Sequence, residues 1–280
     1  MGLRVLHVSP HPDDELIGAP ATLFALRDAG AEIVNLAVSL GSVAAVAELR
    51  RAELEEACRR AGFTLHFGDL AEALRDGVFD LVVGPSPHDR HPSHVRVARQ
   101  VLAAAPPRWW MWALWGELAH PTTVTGFGEE RLREIHHALE AHASQLARND
   151  FRRLVTGRAM AATVLAAEQV FGFGAAGIDA PYAEMTCEVV RDGAAWRLGA
   201  RRRFDAADPF PPVPSGQPDA SAWLYARGIS EPQPDDAADS APAQSAGERC
   251  PECEGTGKVD GRECPACEGT GNVMRGLGGG

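Results

Sequence analysis

Residues 9–15 read SPHPDDE and set one histidine and three consecutive acids just past the apolar run LRVLHVS. Adjacent carboxylates repel, so the cluster calls for a compensating cation. His11 and Asp14 lie three apart on what reads as a tight turn opening a helix, a spacing that lets both side chains aim at one point. Imidazole nitrogen plus carboxylate oxygen suits a borderline ion such as Zn²⁺. A catalytic site of that kind needs a third protein ligand and one open position. A second apolar run, FDLVVGPS (79–86), is followed by His88, His91 and His94. Taking His94 from that loop completes an N, O, N set with His11 and Asp14. HPDDE also reads as a well-made helix start, with proline at the first helical position and acids facing the positive end of the dipole. Two histidine-bearing loops at two strand ends are harder to explain that way.

The elements that must position these groups are legible in outline. LRVLHVS (3–9), EIVNLAVS (32–39), TLHFG (64–68), FDLVVGPS (79–86) and RWWMWALWGE (108–117) read as strands. APATLFALRDAGA (19–31), SVAAVAELRRAELEEACRRAGF (42–63) and HVRVARQVLAAA (94–105) read as the helices between them. This alternation predicts right-handed βαβ units and a mainly parallel sheet: an α/β, Rossmann-like fold with helices on both faces. Ligands of such sheets sit beyond the carboxyl ends of the strands, where both histidine loops fall. One long helix is expected over 129–154, from apolar Leu132, Ile135, Leu139 and Leu146, and a last hairpin about Asp192-Gly193. Trp109, Trp110, Trp112 and Trp115 stand at strand spacing. Some of these rings belong to the core; flat rings also stack on sugar faces, and none is assigned to the site.

The chain has 280 residues and a formal net charge of -11, with 45% apolar residues. An acidic chain does not favour wrapping nucleic-acid phosphates. No apolar run approaches the roughly 18 residues of a membrane span, and MGLRVLHVS lacks the layout of a signal peptide. The expectation is a cytoplasmic protein with no membrane and no nucleic-acid partner. Residues 1–204 form the expected catalytic domain. Residues 205–249, rich in Pro, Asp, Ala and Ser, read as a disordered linker. An apolar island inside it, SAWLYARGI (221–229), either docks or stays unstructured.

PHPDDE, followed in order by RRAELEEACRRAGF, HPSHVRVA, HASQ and PYAEM, resembles the PIG-L/LmbE-like family of zinc-dependent N-acetylglucosaminyl deacetylases. The resemblance spans about residues 3–190. It implies a Rossmann-like sheet and hydrolysis of an acetyl or related acyl group from an amino sugar. By position, it implies that His11, Asp14 and His94 hold a catalytic zinc and that Asp13 is the general base. It implies that His91 faces the developing oxyanion and that Arg50 holds the substrate. Two residues depart from the family pattern. Ser93 stands where an acid commonly orients His91, and Asp89 is the acid placed to substitute. Pro20-Ala21 stands in place of paired glycines. A thiol-sugar amidase of the mycothiol type is the alternative within the enzymes. A weakly active scaffold is the alternative outside them. His142, Ser144 and Gln145 match the HASQ motif but by themselves read as a polar helix face, and Glu184 is given no catalytic role.

Cys250, Cys253, Cys264 and Cys267 form two C-x-x-C pairs separated by ten residues, each followed by EGTG. Four thiolates at this spacing suit a closed, structural zinc site. The repeat over 250–273 resembles a half-sized DnaJ-type C-x-x-C-x-G-x-G zinc module. So small a unit has little core, so the metal supplies its folding energy. A redox pair is the rival use of such motifs. The expected role of the module is protein contact or self-association. Metal analysis should find about two ions per full chain and about one in a chain ending near Glu248; equal content in both would remove the tail site.

Overall fold

The protein is described from a computed structural model that covers residues 2–41 and 44–226, with 248–249, 252–253, 256, 258–259, 261–264 and 272–273 of the tail. The chain divides into two compact units, Met1–Asp235 and Asp236–Gly280.

In the first unit, β1 (Arg4–Ser9) is a short apolar strand buried along nearly its whole length. It runs into α1 (Asp14–Ile17) and α2 (Pro20–Asp28), the latter opened by proline at its first position. There follow β2 (Glu32–Ala37), α3 (Ala44–Ala61), β3 (Thr64–Phe67) and α4 (Leu70–Asp76). Gly62, at φ 71°, lets the chain leave α3 in the left-handed region that closes helices. Then come β4 (Leu81–Pro85), α5 (Pro92–Ala104), β5 (Arg108–Trp112) and β6 (Thr123–Phe127). The helices α6 (Glu129–Leu139), α7 (Ala143–Arg148) and α8 (Phe151–Ala166) precede a closing group of strands, β7 (Tyr182–Asp192), β8 (Ala195–Leu198) and β9 (Arg202–Arg203). A last short helix is α9 (Ser221–Tyr225).

The strands form one sheet in the order β3-β2-β1-β4-β5-β7-β6-β9, with β8 paired to β7. The first five run parallel; β7 is antiparallel to both β5 and β6. Chain order therefore reverses direction between β1 and β4, which pair at Val5↔Leu81 and Leu6↔Val82. Such a switch point opens a crevice beyond the strand ends. Alternate residues of each strand feed opposite faces. Trp110 and Trp112 join Leu23, Phe24, Leu54 and Ile135 on one face, while Trp109 and Met111 join Val34, Val97, Val101 and Trp196 on the other. Helices thus cover both faces.

The structure departs from the sequence reading in four places. The expected single helix over 129–154 is three helices. The chain turns after Leu139 because His142 and Gln145 must turn inward, where they are buried. The strand expected over 108–117 stops at Trp112, because the N–H groups of Leu114 and Trp115 donate to Asp89 at 2.8 and 3.2 Å instead of to a neighbouring strand. β6, α4 and the part of α8 beyond residue 154 were absent from the expectation. The linker does not begin at residue 205. Asp219 bridges to Arg197, Ala220 N–H donates to Trp196 O at 2.8 Å, and Ala220 and Leu224 are buried. Of the two readings of the apolar island, its described residues 221–226 dock, with Trp223 stacked on His88 at 4.9 Å.

In the second unit, Glu248–Arg249 pairs antiparallel with Asn272–Val273, and Lys258–Val259 with Arg262–Glu263. Cys253 and Cys264 are buried. Cys250 and Cys267 lie outside the described residues, as does the greater part of the expected zinc knuckle. Among the described residues no helix is long and apolar enough to cross a membrane.

Gly18 joins α1 to α2 where a side chain has no room: an added Cβ would meet the Trp112 ring at 2.7 Å and Asp14 O at 2.8 Å. Gly18→Ala is expected to lose about 1–3 kcal/mol by overpacking. A urea-unfolding midpoint equal to wild type would show that the turn has slack.

Candidate functional site

Both histidine loops open at the carboxyl ends of the two strands that flank the switch point. From β1 the chain passes His11 and reaches Asp13, the residue that caps α1. Asp13 has φ 112° and ψ −25°, a left-handed conformation in a residue with a side chain. Holding a non-glycine residue there costs about 1–3 kcal/mol and is sustained only by its surroundings. The Asp13 N–H donates to Glu15 Oε2 at 3.1 Å, and its carbonyl accepts from Leu16 and Ile17. Asp14 Oδ2 accepts the His11 N–H at 2.8 Å, which turns its carboxylate back over the loop.

From β4 the chain passes Asp89 and reaches His91, the cap of α5, whose Nδ1 accepts from the Ser93 N–H at 3.3 Å. One turn into α5 stands His94, fully buried. The structure brings His11, Asp14 and His94 together: Asp14 Oδ2 lies 3.3 Å from His11 Nδ1, and Asp14 Oδ1 lies 3.4 Å from His94 Nε2. His91 joins them, since one ligand atom from each of His11, His91 and His94 falls within 4.8 Å of the others. Neither ring nitrogen of His94 makes a well-formed hydrogen bond, although both are buried. A buried imidazole left in that state, with two further imidazoles close by and the Asp14 carboxylate beside two of the three, is a donor set suited to a divalent ion.

Charge at the cluster is strongly perturbed. Burial by itself would raise Asp14, yet the facing His94 and His11 rings hold it below the usual carboxylate range. Burial would likewise lower His94, but Asp14 and Asp89 push it up to about 10. Burial, reinforced by Asp14 and Glu15, raises Asp13 well above an ordinary carboxyl, against the pull of Arg50 and His94. Asp89 does not take the part expected of it beside Ser93. Its Oδ2 faces His94 Nδ1 at 3.5 Å and its Oδ1 accepts the His91 backbone N–H at 2.9 Å, so it orients the His94 ring. Ser93 Oγ instead accepts from Arg96 at 2.9 Å.

Arg50, on α3, is buried near the cluster, and Gln145 accepts from its Nη2 and Nε at 2.9 and 3.0 Å once the amide oxygen is turned toward it. Sequence reasoning passed over several contributors. His142 Nε2 lies 2.6 Å from Glu15 Oε1, both fully buried. Ser144 donates through N–H and Oγ to Glu53 at 2.7 and 2.6 Å. Glu184 accepts from the Ala21 and Thr22 N–H groups that open α2 at 3.1 and 2.8 Å. The HASQ run was the available signal for the first two. A cavity of about 250 Å³ adjoins the region through Ile17 and Gly18, with Arg158, Ala162 and Glu184 among its walls. None of the clustered histidines lines it.

Fold and site together define an α/β protein with a buried imidazole–carboxylate cluster at the switch point of its sheet. Residues 6–77 match the PIG-L family, described as GlcNAc-PI de-N-acetylase. No curated protein sequence matches the chain. Among solved structures, the conserved protein TT1542 from Thermus thermophilus is 23% identical with a TM-score of 0.53, over 66% of this chain and 93% of that one. GalB, the 4-carboxy-2-hydroxymuconate hydratase from Pseudomonas putida, is 18% identical with a TM-score of 0.54, over 68% and 97%. The A40926 pseudoaglycone deacetylase Dbv21 is 19% identical with a TM-score of 0.50, over 66% and 96%. A hydratase and a deacetylase both use this fold, so the likeness shows the fold and not the reaction.

With the His94 pKa pushed up to about 10 by Asp14 and Asp89, an ion taking that ring as a ligand would have to displace a proton. Ion affinity is therefore expected to rise with pH, about tenfold per unit for one proton released. Calorimetric titration with Zn²⁺ in buffers of different ionisation enthalpy, as the difference between wild type and His94→Ala, checks this. A pH-independent difference would contradict it.

Proposed function

We propose that the protein is a metal-dependent deacetylase that hydrolyses the amide of an N-acyl amino sugar. The observation that carries the reading is the convergence of His11, Asp14 and His94 from two strand ends, with Asp13 between two of them in sequence. The match of residues 6–77 to a de-N-acetylase family supports the same reaction class.

His11, Asp14 and His94 would hold the ion, and its contribution is to polarise the amide carbonyl and to acidify water. The remaining steps belong to the chain. Asp13 takes the proton as water oxygen attacks the carbonyl carbon. Its raised proton affinity lets it keep that proton and return it to the amine nitrogen as the C–N bond breaks, giving carboxylic acid and free amine. The Ser93 N–H on His91 Nδ1 leaves Nε2 as the nitrogen that carries a proton, and a donor there stabilises charge on the carbonyl oxygen. Arg50, held by Gln145, offers a fixed cation for the hydroxyl- or phosphate-bearing part of the sugar. A second, structural zinc on Cys250, Cys253, Cys264 and Cys267, serving protein contact, completes the proposal; burial of Cys253 and Cys264 supports it.

Amine release should be followed across a panel that includes N-acetylglucosaminyl-inositol and sugar-thiol S-conjugates. Asp13→Ala is expected to lose about 100- to 10,000-fold in kcat with the ion retained. His91→Ala should also keep the ion and lose about 100- to 1,000-fold, whereas His94→Ala should lose the ion itself. Turnover of S-conjugates alone would favour the thiol-sugar amidase. Equal background rates for wild type and Asp13→Ala on every substrate would sink the enzymatic reading in favour of a scaffold.

A further inference from the structure

We propose that His142 is a positioning residue for Asp13 and acts on it through Glu15. The inference rests on the reading of Asp13 as the proton-transfer group. It goes beyond that reading by naming what holds Asp13 in a conformation it would not otherwise keep.

The two oxygens of Glu15 do different things. Oε2 accepts the backbone N–H of Asp13 at 3.1 Å, and Oε1 stands 2.6 Å from His142 Nε2. An ionised carboxylate only accepts, so the tautomer that closes this contact with ionised Glu15 has its proton on His142 Nε2. Asp13 sits at φ 112°, and the direction of its carboxylate follows from that backbone angle. An acceptor on its N–H is part of what keeps the angle. Without it one restraint on the strained angle is lost and only the α1 hydrogen bonds to the Asp13 carbonyl remain, and any relaxation toward negative φ re-aims the side chain. Glu15 stays in place because His142 holds its other oxygen. Both side chains are fully buried, so water cannot stand in for either partner.

His142 is itself fixed by its own backbone. Its N–H donates to Leu139 O at 3.0 Å, and its carbonyl accepts from Gln145 and Leu146 at 3.1 and 3.0 Å. Two residues on, Ser144 is tied to Glu53 on α3 by two hydrogen bonds. The turn between α6 and α7 and the start of α7 are thus tied to their surroundings, and Gln145 of α7 holds Arg50 as His142 holds Glu15. A pair that merely filled the core would affect stability and leave the rate per folded molecule alone. A positioning pair affects kcat.

The test uses the full chain loaded with Zn²⁺. His142→Ala is expected to lower kcat about 100-fold while KM and ion content stay near wild type. His142→Gln, whose amide N–H still reaches Glu15, should recover most of the loss. An unchanged kcat in His142→Ala, or a change confined to KM or ion content, overturns the proposal. Should the alanine variant not fold, His142→Asn against His142→Gln carries the comparison: the shorter amide must be the slower enzyme, and equal rates overturn the proposal. Amide hydrogen exchange at Asp13 gives a readout that needs no substrate. Faster exchange in His142→Asn than in His142→Gln supports the positioning role even if wild type turns over nothing, a result that would sink only the deacetylase reading. Equal exchange overturns the positioning role.

Discussion

Three consecutive buried acids can share one turn only if each finds a polar or charged partner there or takes up a proton. Asp13, Asp14 and Glu15 are 7%, 1% and 0% exposed. Their charges cannot be shed into water, and leaving any one uncompensated in the interior is costly. The fold answers with four groups: His11 and His94 beside Asp14, His142 beside Glu15, and the field of Arg50 on Asp13, whose proton affinity burial still raises. Much of the architecture on this side of the sheet is what it takes to deliver those partners.

His11 belongs to the same turn as the acids; the other three partners travel on different elements. His94 arrives on α5, at the strand next to β1 across the switch point, and Asp89 turns its ring. Arg50 arrives on α3, after the chain has crossed to β2 and begun its return. His142 arrives in the break between α6 and α7, 127 residues from Glu15. A divalent ion would add a further positive charge among the same groups, which is why the acids that balance the histidines are also the ligands and the proton carrier of the proposed chemistry.

The packing beneath the site has little tolerance. Trp112 closes against Gly18 on one side and meets His94 edge-on at 5.2 Å on the other. One indole therefore packs against both the junction of α1 with α2 and the histidine on α5. The docked segment through α9 adds a contact from outside, where His88 Nε2 meets Trp223 O at 2.9 Å within the loop that carries Asp89 and His91.

By itself the sequence determined the local facts. Apolar runs marked the five parallel strands, and the acid and histidine runs at two strand ends marked the chemistry. These are legible because periodicity, capping and ligand type act over a few neighbouring residues. Only the tertiary structure decided which distant groups meet. HASQ is an ordinary polar run until Glu15, Glu53 and Arg50 come up against it, and a helical pattern over 129–154 breaks where His142 turns inward to Glu15. Likewise, Asp89 serves His94 rather than the His91 ring, and the chain beyond residue 204 stays packed through Leu224. Partner choice between residues over a hundred positions apart is set by the order of strands in the sheet, and no short-range pattern encodes that order.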